Sequence, residues 1–309
     1  MIGVYSNLYY PTRWVPLRRR GLGWQRCNEM YEEHGCIASC GLAYDKILEL
    51  VLDIKGCNLH CKYCWCWKMR YHSEDIKKSP KDVLRDLECR FDEVVKDKFV
   101  SKKGYRIGVI RITGNEPSLQ WDHVKEVLKL IDRSERLRSF KVIIETNGVA
   151  FAKMDVNGLD NLEINIDIDV SFKGVNYDQF EWLSSVKREY FRYQIEGFVK
   201  LFDYYEGTNV SVNPVLGINH AENYCVWKRG KKYVMDVEII DKYGNKLNFY
   251  DYSKDFEEEV LSRKELRYDE APFREYFGIN RETTRLVVAV VYKGRRYLHI
   301  LPSELPDLI

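Results

Sequence analysis

The sequence lacks the features of a membrane-spanning, exported or disordered protein. Its longest purely apolar run covers residues 286–291, far short of the roughly 20 residues that a membrane-spanning helix needs. The first residues show no basic leader followed by an apolar stretch, so no secretory signal is expected. With 45% hydrophobic residues and only 8 prolines among 309 residues, wholesale disorder is excluded. We expect a folded, cytoplasmic protein with no membrane partner.

An excess of charge of one sign is also missing. The chain has 49 lysines and arginines against 47 aspartates and glutamates, a formal net charge of +2. A charge this close to balance predicts no general attraction to nucleic acid or to an anionic membrane surface.

Cysteine, in contrast, is plentiful and unevenly placed. Six of the nine cysteines fall between Cys27 and Cys64, and Cys66 follows at once. An odd number of cysteines without an export signal argues against a disulfide framework. Thiolates crowded in this way usually hold a metal.

Strand and helix patterns alternate through the middle of the chain, each strand ending at a small or polar residue. This alternation predicts an α/β fold, a partial parallel barrel of about six βα units. A Cys-bearing N-terminal arm precedes the barrel, and a β-rich extension with turns at Gly244 and Gly294 follows it. We predict the domain boundaries 1–47, 48–225 and 226–309. The predicted strands cover 48–54, 105–113, 140–145, 162–170 and 209–213, and the predicted helices cover 80–97, 124–131 and 178–203.

The motif with the clearest chemistry is the C-x3-C-x2-C run formed by Cys57, Cys61 and Cys64. It begins one residue after the first predicted strand ends. Three thiolates in so short a loop can bind three irons of a [4Fe–4S] cluster and leave the fourth iron open. The spacing alone could also bind zinc.

With Tyr63 before its last cysteine, this loop resembles the signature of the radical S-adenosylmethionine superfamily. The resemblance implies that the three cysteines hold the cluster and that the open iron chelates the amino and carboxylate groups of S-adenosylmethionine. An electron from the cluster then cleaves this cofactor to methionine and a 5′-deoxyadenosyl radical, which abstracts hydrogen from a substrate. No catalytic residue acting on the substrate is indicated.

Further motifs end the next four predicted strands. Residues 114–117 are similar to the family's GGEP motif, with Asn115 in place of the second glycine. Residues 145–148 resemble the Asp-Thr-Asn-Gly stretch of the activating-enzyme branch, 171–173 resemble its Asp-Leu-Lys, and 212–214 resemble the Val-Val-Pro of relatives. The resemblance implies cofactor-binding roles for Tyr63, Gly114, Asn115, Glu116, Thr146, Asn147, Ser171, Lys173 and Asn213. In a barrel these strand ends form the active-site face.

Two features of the N-terminal part remain open from the sequence. Cys27, Cys36, Cys40 and Cys66 could together supply four ligands for a second iron–sulfur cluster or a zinc ion, or could be free thiols. Arginines and tryptophans are interleaved over residues 13–26, as they are in proteins that bind single-stranded RNA, although the net charge of +2 favours an arm whose aromatic side chains pack on the barrel.

The motifs after the third and fourth strands favour the activating-enzyme-like branch, whose members form a radical on a glycine of a partner protein. An RNA- or peptide-modifying member of the superfamily is the alternative, and a zinc-stabilised binding protein without turnover is an alternative of another class. The resemblance also implies an electron donor such as a flavodoxin or ferredoxin, and a protein or RNA substrate.

Overall fold

The computed structural model describes residues 13–14, 47–64, 78–96, 101–102, 106–217, 223–228, 231–241, 243–268, 287–292 and 295–298. The strands are β1 (Arg13–Trp14), β2 (Ile47–Ile54), β3 (Arg106–Gly114), β4 (Lys141–Thr146), β5 (Ile166–Phe172), β6 (Val210–Leu216), β7 (Asn223–Lys228), β8 (Lys231–Ile240), β9 (Arg267–Tyr268), β10 (Val287–Tyr292) and β11 (Arg295–Leu298). The main helices are α1 (Pro80–Lys96), α2 (Trp121–Arg133), α3 (Tyr177–Ser184) and α4 (Tyr190–Tyr205). Among these described helices, none combines the length and the apolar character that crossing a membrane requires.

The main sheet has the strand order of a repeating βα fold. Strands β2 to β6 lie side by side in chain order and all run parallel. The two-residue strand β9 adds a parallel neighbour to β6, and β1 lies antiparallel against β2. Helices or short helical turns connect the consecutive strands, so the predicted α/β fold with a parallel sheet is confirmed.

Alternation of side chains gives the main sheet one apolar and one polar face. On β3, Ile110 and Ile112 are fully buried, and they pack in the same core as the α2 residues Val127 and Leu128. Arg111 lies between the two isoleucines and therefore points to the opposite face. Right-handed connections between successive parallel strands place the helices on one face of the sheet. The opposite, polar face is then available for a functional site.

Three predicted element bounds need correction. The predicted helix over 178–203 is two helices, because Ser185 adopts a left-handed conformation with φ 57° and ends α3. The strand predicted from residue 162 begins at Ile166, because the Asp132 carboxylate accepts the backbone N–H groups of Glu163 and Ile164. The fifth predicted strand continues through Pro214 to Leu216.

The last third of the chain contributes to two sheets. Strands β7, β8, β10 and β11 form an antiparallel sheet, and the hairpin predicted around Gly294 is confirmed. The hairpin predicted around Gly244 is wrong. Its two arms share one isolated bridge, from Ile240 to Lys246, and β8 pairs with β7 and β10 instead. Strand β9 returns to the main sheet and Phe256 packs in the main core. The predicted domain boundary at residue 225 stays a prediction.

Candidate functional site

The three-cysteine loop follows β2 directly at the carboxyl end of the sheet. Gly56, with φ +93°, turns the chain out of the strand, a conformation that favours glycine. The Leu59 N–H donates to the Cys57 sulfur at 3.4 Å, and the Cys64 N–H donates to the Cys61 carbonyl at 3.2 Å. All three cysteines are partly buried and none forms a disulfide. The predicted ligands therefore lie together as free thiols in one short loop.

The same loop is anchored on the carboxyl end of α3. The backbone N–H groups of His60 and Lys62 each donate at 2.9 Å to the last carbonyls of that helix, at Ser184 and Leu183. The Lys62 ammonium bonds the Trp182 carbonyl and lies 4.1 Å from the centre of the Trp182 ring. A cation at this position also complements the negative end of the helix dipole. Sequence reasoning missed this anchor, since no local pattern reports a contact between residues 120 positions apart.

The donor set fits a three-thiolate [4Fe–4S] cluster. Burial raises the pKa of the Cys57 thiol, and the nearby Glu116 and Cys61 raise it further, so ligation must displace a proton. In such a cluster each cysteine binds its own iron, so three thiolates leave one iron without a protein ligand.

The loop after β3 lies against the end of β2. Asn115 and Glu116 donate their backbone N–H groups to the carbonyls of Ile54 and Gly56, at 3.0 and 2.9 Å. Gly114 has φ +96°, whereas Asn115 has no positive φ, so asparagine is tolerated at the second position of this motif. The Asn115 Oδ1 atom is buried and accepts no hydrogen bond from the described residues. A buried acceptor of this kind is suited to a ligand donor such as an ammonium group.

Glu116 is a buried connection between β3 and β4. Its carboxylate is 1% exposed and accepts four hydrogen bonds. Two come from the Ser118 N–H and hydroxyl, one from the Thr146 hydroxyl at 2.5 Å, and one from the Asn147 N–H at 2.7 Å. The Thr146 hydroxyl in turn accepts the Gly148 N–H at 3.1 Å. These bonds fix the turn that follows β4.

Asn147 joins that turn to the cysteine loop. Its side-chain Nδ2 lies 2.7 Å from the Asn58 Oδ1 and 3.8 Å from the Cys57 sulfur. Its Oδ1 accepts the Val149 N–H at 3.0 Å. Both ends of the amide are therefore engaged within the protein. The implied contact of Asn147 with S-adenosylmethionine stays a prediction.

Gln194 on α4 connects the ends of β4 and β5, and the sequence analysis did not single it out. The side chain is fully buried, and its Nε2 donates to the carbonyls of Asn147 and Ser171, at 2.6 and 3.2 Å. Its Oε1 accepts the Lys173 N–H at 3.2 Å. The sequence signal that could have found Gln194 is a glutamine within the apolar stripe of a helix, because a buried amide requires hydrogen-bond partners.

Ser171 and Lys173 reach the cysteine loop from the end of β5. The Lys173 ammonium donates to the Ser171 hydroxyl at 2.5 Å and lies 5.9 Å from the centre of the Tyr63 ring. Tyr63 is 6% exposed and packs in the main core. At the end of β6, a side chain on Gly217 would come within 2.3 Å of the Ser171 hydroxyl, so glycine allows the close approach.

Asn213 lies apart from these contacts. It is fully buried on the polar face, where its Nδ2 donates to Asp169 at 3.0 Å. Burial raises the pKa of the Asp169 carboxyl above its usual value against the effect of this hydrogen bond, and the charges of Glu145 and Asp167 raise it further. The structure thus brings all the predicted cofactor residues except Asn213 to the ends of β2 to β5.

The deeper part of the polar face is held by Arg111. Its guanidinium bonds both oxygens of Glu49, at 2.6 and 2.8 Å, and also bonds Glu145. Burial disfavours the charged form, but the two carboxylates outweigh that effect and raise the pKa of Arg111.

Cys27, Cys36, Cys40 and Cys66 lie outside the described residues, as does most of the segment 13–26.

Known proteins that are similar to this chain include one curated relative and one solved structure. A curated protein of Methanocaldococcus jannaschii, named provisionally as a glycyl-radical enzyme activating enzyme, is 24% identical over 225 residues, which cover 71% of this chain and 76% of that protein. A solved structure of TYW1 with a lysine–pyruvate adduct bound is 14% identical, covers 67% of each chain and has a TM-score of 0.43. The sequence model of the radical SAM superfamily matches residues 51–225, more than half of the chain. The chain therefore belongs to the radical SAM superfamily and is an enzyme of that class.

Proposed function

We propose that Cys57, Cys61 and Cys64 hold a [4Fe–4S] cluster and that S-adenosylmethionine binds beside it at the carboxyl ends of the parallel strands. The observation that carries this proposal is the contact of the cysteine loop with the ends of β3, β4 and β5. When bound, the cluster would supply the electron for reductive cleavage of S-adenosylmethionine, and the cleaved cofactor would supply the group that abstracts hydrogen from the substrate.

The described side chains suit the polar ends of that cofactor. The buried Asn115 Oδ1, which accepts no hydrogen bond from the described residues, is suited to accept one from the methionine ammonium group. The Glu116 carboxylate adds negative charge to the same loop while holding the β4 turn in place. Lys173, the cation beside Tyr63 and Ser171, is suited to the methionine carboxylate.

The proposed substrate is a protein that carries the glycine to be converted into a radical. Support comes from the motifs at 145–148 and 171–173, and from the similarity to the Methanocaldococcus jannaschii protein. The reaction also needs an external one-electron donor, for which we propose a flavodoxin or a ferredoxin. Modification of an RNA or a peptide is the competing function.

Anaerobic reconstitution tests the chemistry. We expect about four irons and four sulfides in the cysteine loop, and formation of 5′-deoxyadenosine when dithionite and S-adenosylmethionine are added. Cys57→Ala, Cys61→Ala and Cys64→Ala should each abolish this product. Cys89→Ala is the matched control, because Cys89 is exposed on α1. Product formation by any of the three loop variants would contradict the proposed ligand set.

The substrate class is tested by isotope transfer. Proteins labelled with dideuterated glycine should give deuterium-containing 5′-deoxyadenosine, measured by mass spectrometry, if a glycine is the hydrogen donor. Transfer from deuterated RNA instead, with salt-dependent binding of that RNA, would favour the competing function.

A further inference from the structure

One hydrogen bond at the site reaches a proposed cluster ligand from outside the cysteine loop. The Asn147 Nδ2 lies 3.8 Å from the Cys57 sulfur, and the Leu59 N–H donates to the same sulfur at 3.4 Å. Leu59 belongs to the loop, whereas Asn147 follows β4 and lies 90 residues after Cys57 in the chain. The Cys57 sulfur thus has two N–H donors of different origin.

The direction of the Asn147 amide is fixed by its other partners. The Val149 N–H can only donate, so the atom that accepts it at 3.0 Å must be the amide oxygen. The amide nitrogen then faces the Asn58 oxygen and the Cys57 sulfur, and each of its two hydrogens has an acceptor. The backbone is held as well, because Asn147 donates its N–H to Glu116 and accepts from Gln194.

We propose that Asn147 is a positioning residue for the cluster, whose amide stabilises the Cys57 thiolate and makes the reduction potential of the cluster less negative. This inference rests on the proposed function, since it requires that Cys57 bind the cluster. Hydrogen bonds to the sulfurs are among the factors that set the potential of an iron–sulfur centre, because a donor dipole favours the state in which the sulfur carries more negative charge. Reduction adds one electron, so the reduced state gains more from the donor.

The experiment is a dye-mediated redox titration of the anaerobically reconstituted protein, followed by the electron paramagnetic resonance signal of the reduced cluster. In Asn147→Leu, the side chain keeps the branched shape but has no donor. We expect the ratio of reduced to oxidised cluster at a fixed solution potential to fall severalfold, and a tenfold fall would correspond to about 59 mV for a one-electron couple.

A second variant covers the case in which leucine prevents folding. Asn147→Asp keeps the acceptor for the Val149 N–H and places a carboxylate oxygen near the Cys57 sulfur, so it should shift the potential in the same direction. The matched control is Ser118→Ala, which removes a hydrogen bond to Glu116 but leaves the Asn147 amide in place.

The results separate this inference from the proposed function. A wild-type chain that binds no cluster would refute the proposed function. A cluster whose potential is unchanged in Asn147→Leu and Asn147→Asp would refute the role of Asn147 alone. An equal shift in Ser118→Ala would also refute it, because the effect would then come from general loosening of the site.

Discussion

At the scale of single residues, Glu116 has a structural role beside the cofactor-binding role that we propose for its loop. With four hydrogen bonds to its buried carboxylate, it already connects the loop after β3 to the turn after β4. Carboxylates in such surroundings depend on their donors, because a buried charge without hydrogen bonds is strongly destabilising. The motif that the resemblance assigns to cofactor binding therefore also stabilises the fold.

Glu116→Gln should lower both stability and cofactor affinity. The amide nitrogen cannot accept hydrogen bonds, so the donors of Asn147 or of Ser118 and Thr146 lose their partner. We expect the free energy of unfolding to fall by about 1.5–3 kcal/mol, the usual value for a hydrogen bond to a charged group. Chemical denaturation and S-adenosylmethionine binding measure the two effects. A variant with weaker binding but unchanged stability would show that the connection between strands is unimportant.

Asp169 should make stability depend on pH. Its pKa is raised above 3.8 in the folded protein, mainly by burial, so the native state holds this proton more tightly than the unfolded chain does. The stability that Asp169 contributes is present below pH 3.8 and is lost as pH rises through the raised native value. Asp169→Asn should therefore gain stability relative to wild type as the pH rises from about 3.8 towards neutrality. A difference in unfolding free energy that stays constant across this range would contradict the assignment.

At the scale of elements, the approach of α4 to the turn after β4 depends on a glycine. A Cβ on Gly197 would lie 2.0 Å from the Gly148 carbonyl oxygen, closer than any van der Waals contact. This contact lets Gln194, one turn earlier, reach the carbonyls of Asn147 and Ser171. Helix α4 therefore fixes the positions of the two strand ends that carry predicted cofactor residues.

Gly197→Ala should be more destabilising than the same substitution at a glycine with open space around it. The added methyl group must push α4 away from the turn, at a cost of about 1–3 kcal/mol or more. Gly207→Ala is the control, because Gly207 has φ +77° but a Cβ added there would meet no atom within 4 Å, so only backbone strain of about 1 kcal/mol is expected. Equal thermal shifts for the two variants would contradict the packing argument.

The elements also show what the sequence can predict and what it cannot. Strands β2 to β6 were predictable because alternation along each strand is a local pattern, and the motifs at their ends follow from the same register. The left-handed conformation of Ser185 and the start of β5 at Ile166 were not predictable. They depend on hydrogen bonds to the Glu181 carbonyl and to the distant Asp132 carboxylate. The anchoring of Lys62 and the position of Gln194 required tertiary contacts, which no single-sequence pattern contains.

At the scale of the whole molecule, we predict that the N-terminal cysteines add to the total metal content. Cys27, Cys36 and Cys40 lie in a segment with little periodic apolar pattern, and such segments often need a metal to stay ordered. We predict that wild-type protein binds more metal than one [4Fe–4S] cluster requires, and that the triple alanine variant retains about four irons. Elemental analysis checks this. Identical metal content in both proteins would identify the three cysteines as ordinary thiols.

The anchoring of the cysteine loop on the end of α3 has a consequence for how the protein is made. During synthesis, residues 57–64 and their three cysteines are made well before Trp182, which lies 120 positions beyond Lys62. Until α3 exists, the carbonyls that accept the N–H groups of His60 and Lys62 are missing, so the loop lacks this anchor. We therefore expect a cluster bound by this loop to assemble only after α3 has been synthesised.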